Sequence, residues 1–453
     1  MKYEPVNGWK SADKNEVFKF SEKYKDFLDN GKTERLCVKN AVKLAKKAGF
    51  SEYKNNAKLN QGDKIYINNR DKSIMLAVIG SQPITDGIRL VAAHIDSPRL
   101  DLKPNPLYED TELALFKTHY YGGIKKYQWT TVPLAMYGVV VKKDGTKTEI
   151  SIGDNEDDPV FCVTDLLPHL AAKQMGKKMS EGITGENLNI LIGSIPTDSE
   201  NDKIKEYVLN ILNQKYGIIE EDFLSAEIEF VPSGCAKDLG LDKSMIGAYG
   251  HDDRVCAFGA LQSILETSDN KNTAVCFLAD KEEIGSMGNT GMMSEFFEFS
   301  IANLIKSQTD EFNELMLMEC FSKSICLSAD VSSAYDPNFK DVFDYLNASK
   351  LNYGVTICKY TGARGKSGSS DASAELMGHI RKLCNDNKIV WQIGELGKVD
   401  EGGGGTVAQY IANHNIETID CGVPVLSMHS PFETVSKLDV YMSYKLYKVF
   451  YLD

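Results

Sequence analysis

Five short segments between residues 94 and 431 carry side chains that bind metals. They are His94-Ile95-Asp96-Ser97-Pro98, His251-Asp252-Asp253-Arg254, Asp280-Lys281-Glu282-Glu283-Ile284-Gly285-Ser286, Ser328-Ala329-Asp330-Val331-Ser332 and Met428-His429-Ser430-Pro431. Each lies on or just beyond an apolar, strand-like run. Two imidazoles and several carboxylates can then meet at one end of a sheet. A pair of divalent metals needs about that inventory, and a further carboxylate beside a ligand is what a hydrolase uses as a base. The pattern points to a two-metal hydrolase, a peptidase first of all.

In His94-Ile95-Asp96 two polar side chains share one face of an extended segment. His94 can bind a metal while Asp96 accepts its second ring proton, which fixes the tautomer and raises ligand basicity. Asp252 and Asp253 stand at a helix start, where aspartates also serve as caps. The metal reading has one of them bridge two ions; Asp252 is favoured and Asp253 stays open. Adjacent Glu282 and Glu283 repel each other unless something positive holds them. In a metal site one is a ligand, and the other takes a proton from water and gives it to the leaving amine. Asp330 closes the apolar run 325–329 and needs a cation or solvent. His429 completes the set.

These residues need elements to position them. Apolar spacing predicts helices at 15–28 and 33–48 and strands at 73–79 and 88–94, the last ending on His94. From 98 to 235 short alternating runs (139–141, 149–152) and turn signals at Gly122-Gly123 and Asp144-Gly145 predict an inserted, strand-rich second domain. The polar stretch 173–187 reads as a loop. A helix at 255–266, strands at 273–279 and 324–329, a helix at 371–384 and a strand at 417–420 follow. Such alternation predicts an α/β fold with a mostly parallel sheet flanked by helices. Ligands of such sheets bind beyond the carboxyl ends of the strands, where the motifs fall. The domain division is 1–97 with 236–453, interrupted by 98–235.

Composition narrows the class. The chain is 42% hydrophobic and 25% charged, with a net charge of −13. That charge argues against nucleic acid and anionic lipid as partners. No apolar run approaches the roughly 20 residues of a membrane span. Met1-Lys2-Tyr3-Glu4 leads into polar sequence without an apolar signal core. The ten cysteines are scattered without a CxxC pair, so a cysteine-ligated zinc is not expected and a reducing, cytoplasmic compartment is. Gly362-Ala363-Arg364-Gly365-Lys366-Ser367 matches only the end of a P-loop, because position 360 is Tyr. Gly402, Gly403, Gly404 and Gly405 leave backbone amides open to close approach; Gly403 and Gly404 are candidate substrate contacts. Neither HExxH nor GxSxG occurs, which disfavours the corresponding single-zinc and serine routes.

Taken together, the strings AAHIDSPRLDLKP, DDR before the Val255 helix, DKEEIGS, SADVSSAYDPNF and SMHSPFE resemble the aspartyl aminopeptidase family, metallopeptidase family 18. The resemblance covers nearly the whole chain. It implies a zinc-peptidase-like fold with a co-catalytic zinc pair, with manganese or cobalt as other ions such ligands accept. By motif match Asp252 bridges the metals, His94 and Asp330 complete one site, and Glu283 and His429 the other. Glu282 matches the general base and Asp96 the partner of His94. The insert is implied to act in dimerisation and as a lid, within dimers that assemble into a dodecamer. His169, in Leu167-Pro168-His169-Leu170, matches the histidine lent to a neighbouring active site. Acidic preference is implied by a cation near 361–370, where both Arg364 and Lys366 fall. The resulting expectation is an aminopeptidase acting on peptides, with preference for N-terminal Asp or Glu left open. A related two-metal amidohydrolase or carboxypeptidase, and a non-enzymatic assembly protein on the same scaffold, are the competing readings.

Overall fold

The strands of the large sheet are apolar on both faces, and both faces are used. Leu90 and Ala92 join one buried apolar cluster while Val91 and Ala93 join the other. Val275 and Phe277 are divided from Cys276 and Leu278 in the same way. A strand covered on both faces reads as a continuous apolar run instead of an alternation.

The computed structural model describes residues 4–309 and 311–453. Among them two compact units are distinguished. One comprises the described part of Met1–Asp96 with Ala236–Met428 and Glu433–Asp453; the other is Ser97–Cys235 with His429–Phe432.

In the first unit, nine strands of the described residues form a sheet. Their order is Ser51–Glu52, Lys64–Asn69, Ser73–Val78, Thr273–Ala279, Ile88–His94, Ile325–Ser328, Glu417–Gly422, Val355–Cys358 and Trp391–Ile393. The four strands from Thr273–Ala279 to Glu417–Gly422 are mutually parallel. Ser73–Val78 runs antiparallel to its neighbours on both sides, and Val355–Cys358 runs antiparallel to Glu417–Gly422. The sheet is therefore mixed, which corrects the expectation of a mostly parallel one. Every residue of Ser73–Val78 is buried, so its sequence holds no trace of direction. The hairpin before it turns on Arg70 and Asp71, both with left-handed φ, a conformation that suits tight antiparallel turns. A second sheet of this unit joins Lys237–Leu239, Met245–Ala248, Glu433–Ser436, Pro424–Leu426 and Ser332–Ser333.

Helices begin where capping chemistry allows. Asp13 accepts hydrogen bonds from the amides of Asn15 and Glu16 to start Lys14–Asn30. Thr33 accepts from Leu36 to start Glu34–Lys47. In His251–Leu265 the backbone leaves helical φ/ψ at Asp252 and Asp253. Its regular part begins at Arg254, close to the expected start.

The second unit contains an antiparallel sheet that runs, among the described residues, Lys147–Ile152, Leu134–Val141, Ala226–Pro232, Arg99–Asp110, Leu113–Tyr121, Ile190–Gly193 and Cys162–Val163. Phe116, Trp129 and Phe230 are buried in it. The stretch 173–187 is not a plain loop: it holds the short helical turns Ala172–Met175, Met179–Gly182 and Gly185–Asn187. Each is too short to show a 3.6-residue period, which is why the sequence hides them.

Candidate metal centre

Strand register brings the motifs to one level. Ala279 lies opposite His94 and Ser328 opposite Ala92, so continuing the register sets Asp330 beside His94. Glu282 and Glu283 sit on the turn Glu282–Ile284, just past the neighbouring strand. Lys281 and Gly285 flank that turn with left-handed φ of 65° and 94°, a conformation glycine adopts without strain. Both oxygens of the buried Asp96 carboxylate then accept the turn's amides, Glu282 N at 3.1 Å and Glu283 N at 3.2 Å. Asp280 braces the same turn, accepting from the Lys281 amide at 2.8 Å and the Thr290 hydroxyl at 2.6 Å. Burial, with the charges of Glu34 and Asp96, pushes its carboxyl up to about 7.

His94 occupies the middle. Its Nδ1 lies 3.1 Å from the Asp96 carbonyl oxygen and 3.3 Å from Asp96 Oδ1. Both are acceptors, so Nδ1 carries the proton. Nε2 then presents a lone pair, and it faces Asp252 Oδ1 at 3.2 Å, Glu282 Oε2 at 3.8 Å and Asp330 Oδ1 at 3.8 Å. One lone pair and three carboxylates repel one another, and a single added proton serves only one of them. The titration behaviour carries the same message. Burial lowers the His94 pKa, but hydrogen bonds to Asp252 and Asp96 and the charges of Glu282 and Asp330 outweigh it and raise it well above the ordinary value. Burial and the neighbouring Asp253 charge push the Asp330 carboxyl well up. A divalent cation among these groups relieves the whole conflict. His94, Asp252 and Asp330 each offer one donor atom, all within 4.8 Å of one another. An imidazole nitrogen with carboxylate oxygens is a donor set zinc takes. The residues present fit a zinc ion.

The two aspartates left open by the sequence have different places. Asp252 turns its carboxylate to His94 Nε2. Asp253, fully buried, accepts the backbone N–H of His94 at 3.2 Å. Carboxylate oxygens of Asp252 and Glu283 also lie within 4.8 Å of each other. His94, Asp96, Asp252, Glu282, Glu283 and Asp330 are thus gathered in the first unit.

Other candidates stand elsewhere. His429 falls in the short segment grouped with the second unit. There its Nδ1 donates to the Gly123 carbonyl at 2.7 Å. His169 is exposed on the turn Pro168–Leu170 of the same unit. Arg364 and Lys366 lie on an exposed loop, both with left-handed φ. Lys366 pairs with Asp371 at 2.9 Å, and its ammonium lies 3.8 Å from the centre of the Tyr360 ring. The glycine loop packs on this loop: the Gly362 amide donates to Gly404 O at 2.6 Å. At Gly403 φ is 143°, and a Cβ there would collide with the Gly362 carbonyl. Sequence reasoning does not mark Tyr24, whose hydroxyl donates to His251 Nδ1, Glu433, which accepts the Asp252 amide, or the bracing role of Asp280. They act through backbone amides and a ring nitrogen, and no spacing rule marks such contacts.

A family model described as "Aminopeptidase I zinc metalloprotease (M18)" matches residues 27–451. The chain belongs to the M18 family of zinc aminopeptidases. It is 52% identical to a probable M18 family aminopeptidase 1 of Borrelia garinii, over 98% of this chain and 99% of the relative. A crystal structure of an M18 aminopeptidase from Thermotoga maritima superposes with a TM-score of 0.96 at 45% identity, covering 99% of both chains. Aminopeptidase I from Clostridium acetobutylicum superposes with a TM-score of 0.92 at 45% identity over the full length of both. Membership makes this chain a peptide hydrolase, which sets aside the non-enzymatic reading and favours the aminopeptidase over the amidohydrolase. Consistent with the hydropathy of the sequence, no helix among the described residues is long and apolar enough to cross a membrane.

Proposed function

We propose that this M18 aminopeptidase removes N-terminal residues from peptides with a two-metal site, in which Asp252 would help to hold both ions. His94 and Asp330 would hold one ion, and Glu283 and His429 the other. The observation that carries this reading is the ring of three carboxylates, at 3.2 to 3.8 Å, around the one Nε2 lone pair of His94. When bound, divalent metal supplies Lewis-acid polarisation of the scissile carbonyl and makes water a nucleophile near neutral pH. Glu282 would act as the base: it takes the proton of the attacking water and returns it to the leaving amine as the C–N bond breaks. Asp96 keeps His94 in the tautomer that presents Nε2, and its grip on the Glu282 and Glu283 amides aims the turn.

Gly403 and Gly404 would offer backbone to the substrate. Arg364 or Lys366 would favour Asp or Glu at the first position. The exposed Leu166, Leu167 and Leu170 around His169 support a role for the insert in subunit contact, with His169 lent to a neighbouring site. A yeast mApe1 neighbour, 21% identical, is a dodecamer, and we read the present chain as forming dimers that assemble into a dodecamer. The ten cysteines are scattered through the sequence without a CxxC pair, which supports a reducing, cytoplasmic setting.

The test is release of N-terminal Asp, Glu, Leu and Lys from short peptides by wild type and Glu282→Gln, with zinc, manganese or cobalt supplied. Release by wild type alone is expected. Equal release by both would remove Glu282 from the chemistry. Cleavage that persists after the peptide amine is blocked would remove the aminopeptidase geometry.

A further inference from the structure

Asp252 is held on a piece of backbone that is neither helix nor strand. Non-helical φ/ψ at Asp252 and Asp253 interrupts the helix just where a carboxylate must be aimed. Backbone groups that leave the helix lose its internal hydrogen bonds and need other partners, and here those partners come from elements distant in sequence. His251, the preceding residue, is fully buried. Its Nε2 lies 3.1 Å from the Ile246 carbonyl, so that nitrogen bears the proton. Its Nδ1 is then an acceptor, and the Tyr24 hydroxyl donates to it at 2.6 Å. Tyr24 comes from the first long helix, Lys14–Asn30, and is itself fully buried. From another side, the Asp252 amide donates to Glu433 Oε2 at 3.0 Å, with Glu433 only 1% exposed.

We propose that Tyr24 and Glu433 are positioning residues for Asp252, and that through it they set the affinity of the chain for divalent metal. Tyr24 clamps the residue before Asp252 through His251; Glu433 clamps the amide of Asp252 itself. Neither needs to touch substrate. The Tyr24 ring packs 5.4 Å from Phe258, so Tyr24→Phe removes the hydroxyl and keeps the packing. Glu433→Gln keeps an acceptor for the amide, whereas Glu433→Leu removes it. The inference rests on the reading that Asp252 is a metal ligand.

The experiment is zinc affinity of the full chain, measured by competition with a chromogenic chelator, with the thermal midpoint of each variant taken alongside. Phe297→Leu is the control, because Phe297 belongs to the apolar cluster on the opposite face of the sheet. Tyr24→Phe and Glu433→Leu are expected to bind zinc about 10- to 100-fold more weakly, the usual penalty for losing a contact behind a ligand. Glu433→Gln is expected to stay near wild type, and Phe297→Leu to keep full affinity although its midpoint falls. Unchanged affinity in Tyr24→Phe and Glu433→Leu, or a loss that merely follows the midpoint in all four, would overturn the proposal. If Glu433→Leu does not fold, Tyr24→Phe decides. Wild type that binds no zinc would instead overturn the metal centre, a separate and recognisable failure.

Discussion

His94 is 1% exposed and engaged at both ring nitrogens, with four carboxylates and a carbonyl oxygen within 3.8 Å. Lys366 stands in the opposite situation. It lies on an exposed loop, and its ammonium is shared between Asp371 and the Tyr360 ring of that loop. The first region is over-determined, so removing one partner leaves buried charge uncompensated. The second is screened by water, and each of its ion pairs is worth little. On the proposed function, the chemistry would sit on the strand edge, and selectivity on a surface that can change without disturbing it.

That contrast can be broken or sharpened by experiment. Glu282→Gln should lower kcat by about 10²- to 10⁴-fold, the range for losing a general base, while the protein keeps its metal; steady-state rates with metal analysis check this. Chelation of metal should abolish peptide release and lower the thermal midpoint, since binding energy of a site absent from the unfolded chain stabilises the fold. Re-addition of zinc should restore both, read by calorimetry and activity on one sample.

Asp420 ties the large sheet to the glycine loop. It lies on the parallel strand Glu417–Gly422 and accepts the hydroxyl of Thr406, at the end of the glycine loop, at 2.7 Å. Burial pushes its carboxyl up to about 6. A folded-state value above the unfolded one means that the native protein binds the extra proton between about pH 4 and 6. Stability from this group is present at low pH and is lost as pH rises through that window. Asp420→Asn should flatten the window in metal-free protein and stabilise it at pH 7 by up to about 3 kcal/mol, measured by urea unfolding at both ends.

Gly403→Ala should strain the loop by about 1–3 kcal/mol and lower kcat/KM with zinc affinity unchanged. Arg364→Met and Lys366→Met should have the smallest effect, about 1 kcal/mol or less each, and only on Asp and Glu peptides. An equal loss on Leu peptides would deny these cations a part in selectivity.

The division between the regions also explains what could be read beforehand. His94, Glu282, Glu283 and Asp330 stood out because an apolar run ending in a charged or ligating side chain is a local signal. Sequence favoured Asp252 but left Asp253 open, since adjacent residues share one local pattern and only the non-helical backbone separates their directions. Tyr24 and Glu433 could not be found, because their partners lie 227 and 181 residues away. Strand direction was hidden for Ser73–Val78, where burial on both faces erases alternation. On the exposed loop, composition marked Arg364 and Lys366 equally, and only the fold shows Lys366 paired with Asp371.

The most direct measurement is the number of zinc ions bound per chain, in wild type, Glu282→Gln and Asp252→Ala, after equilibration with zinc and removal of the excess. Two ions are expected in wild type and in Glu282→Gln, and a loss at both positions in Asp252→Ala. Fewer than one ion in a wild-type chain that still releases N-terminal residues, or an unchanged count in Asp252→Ala, would contradict the two-metal reading.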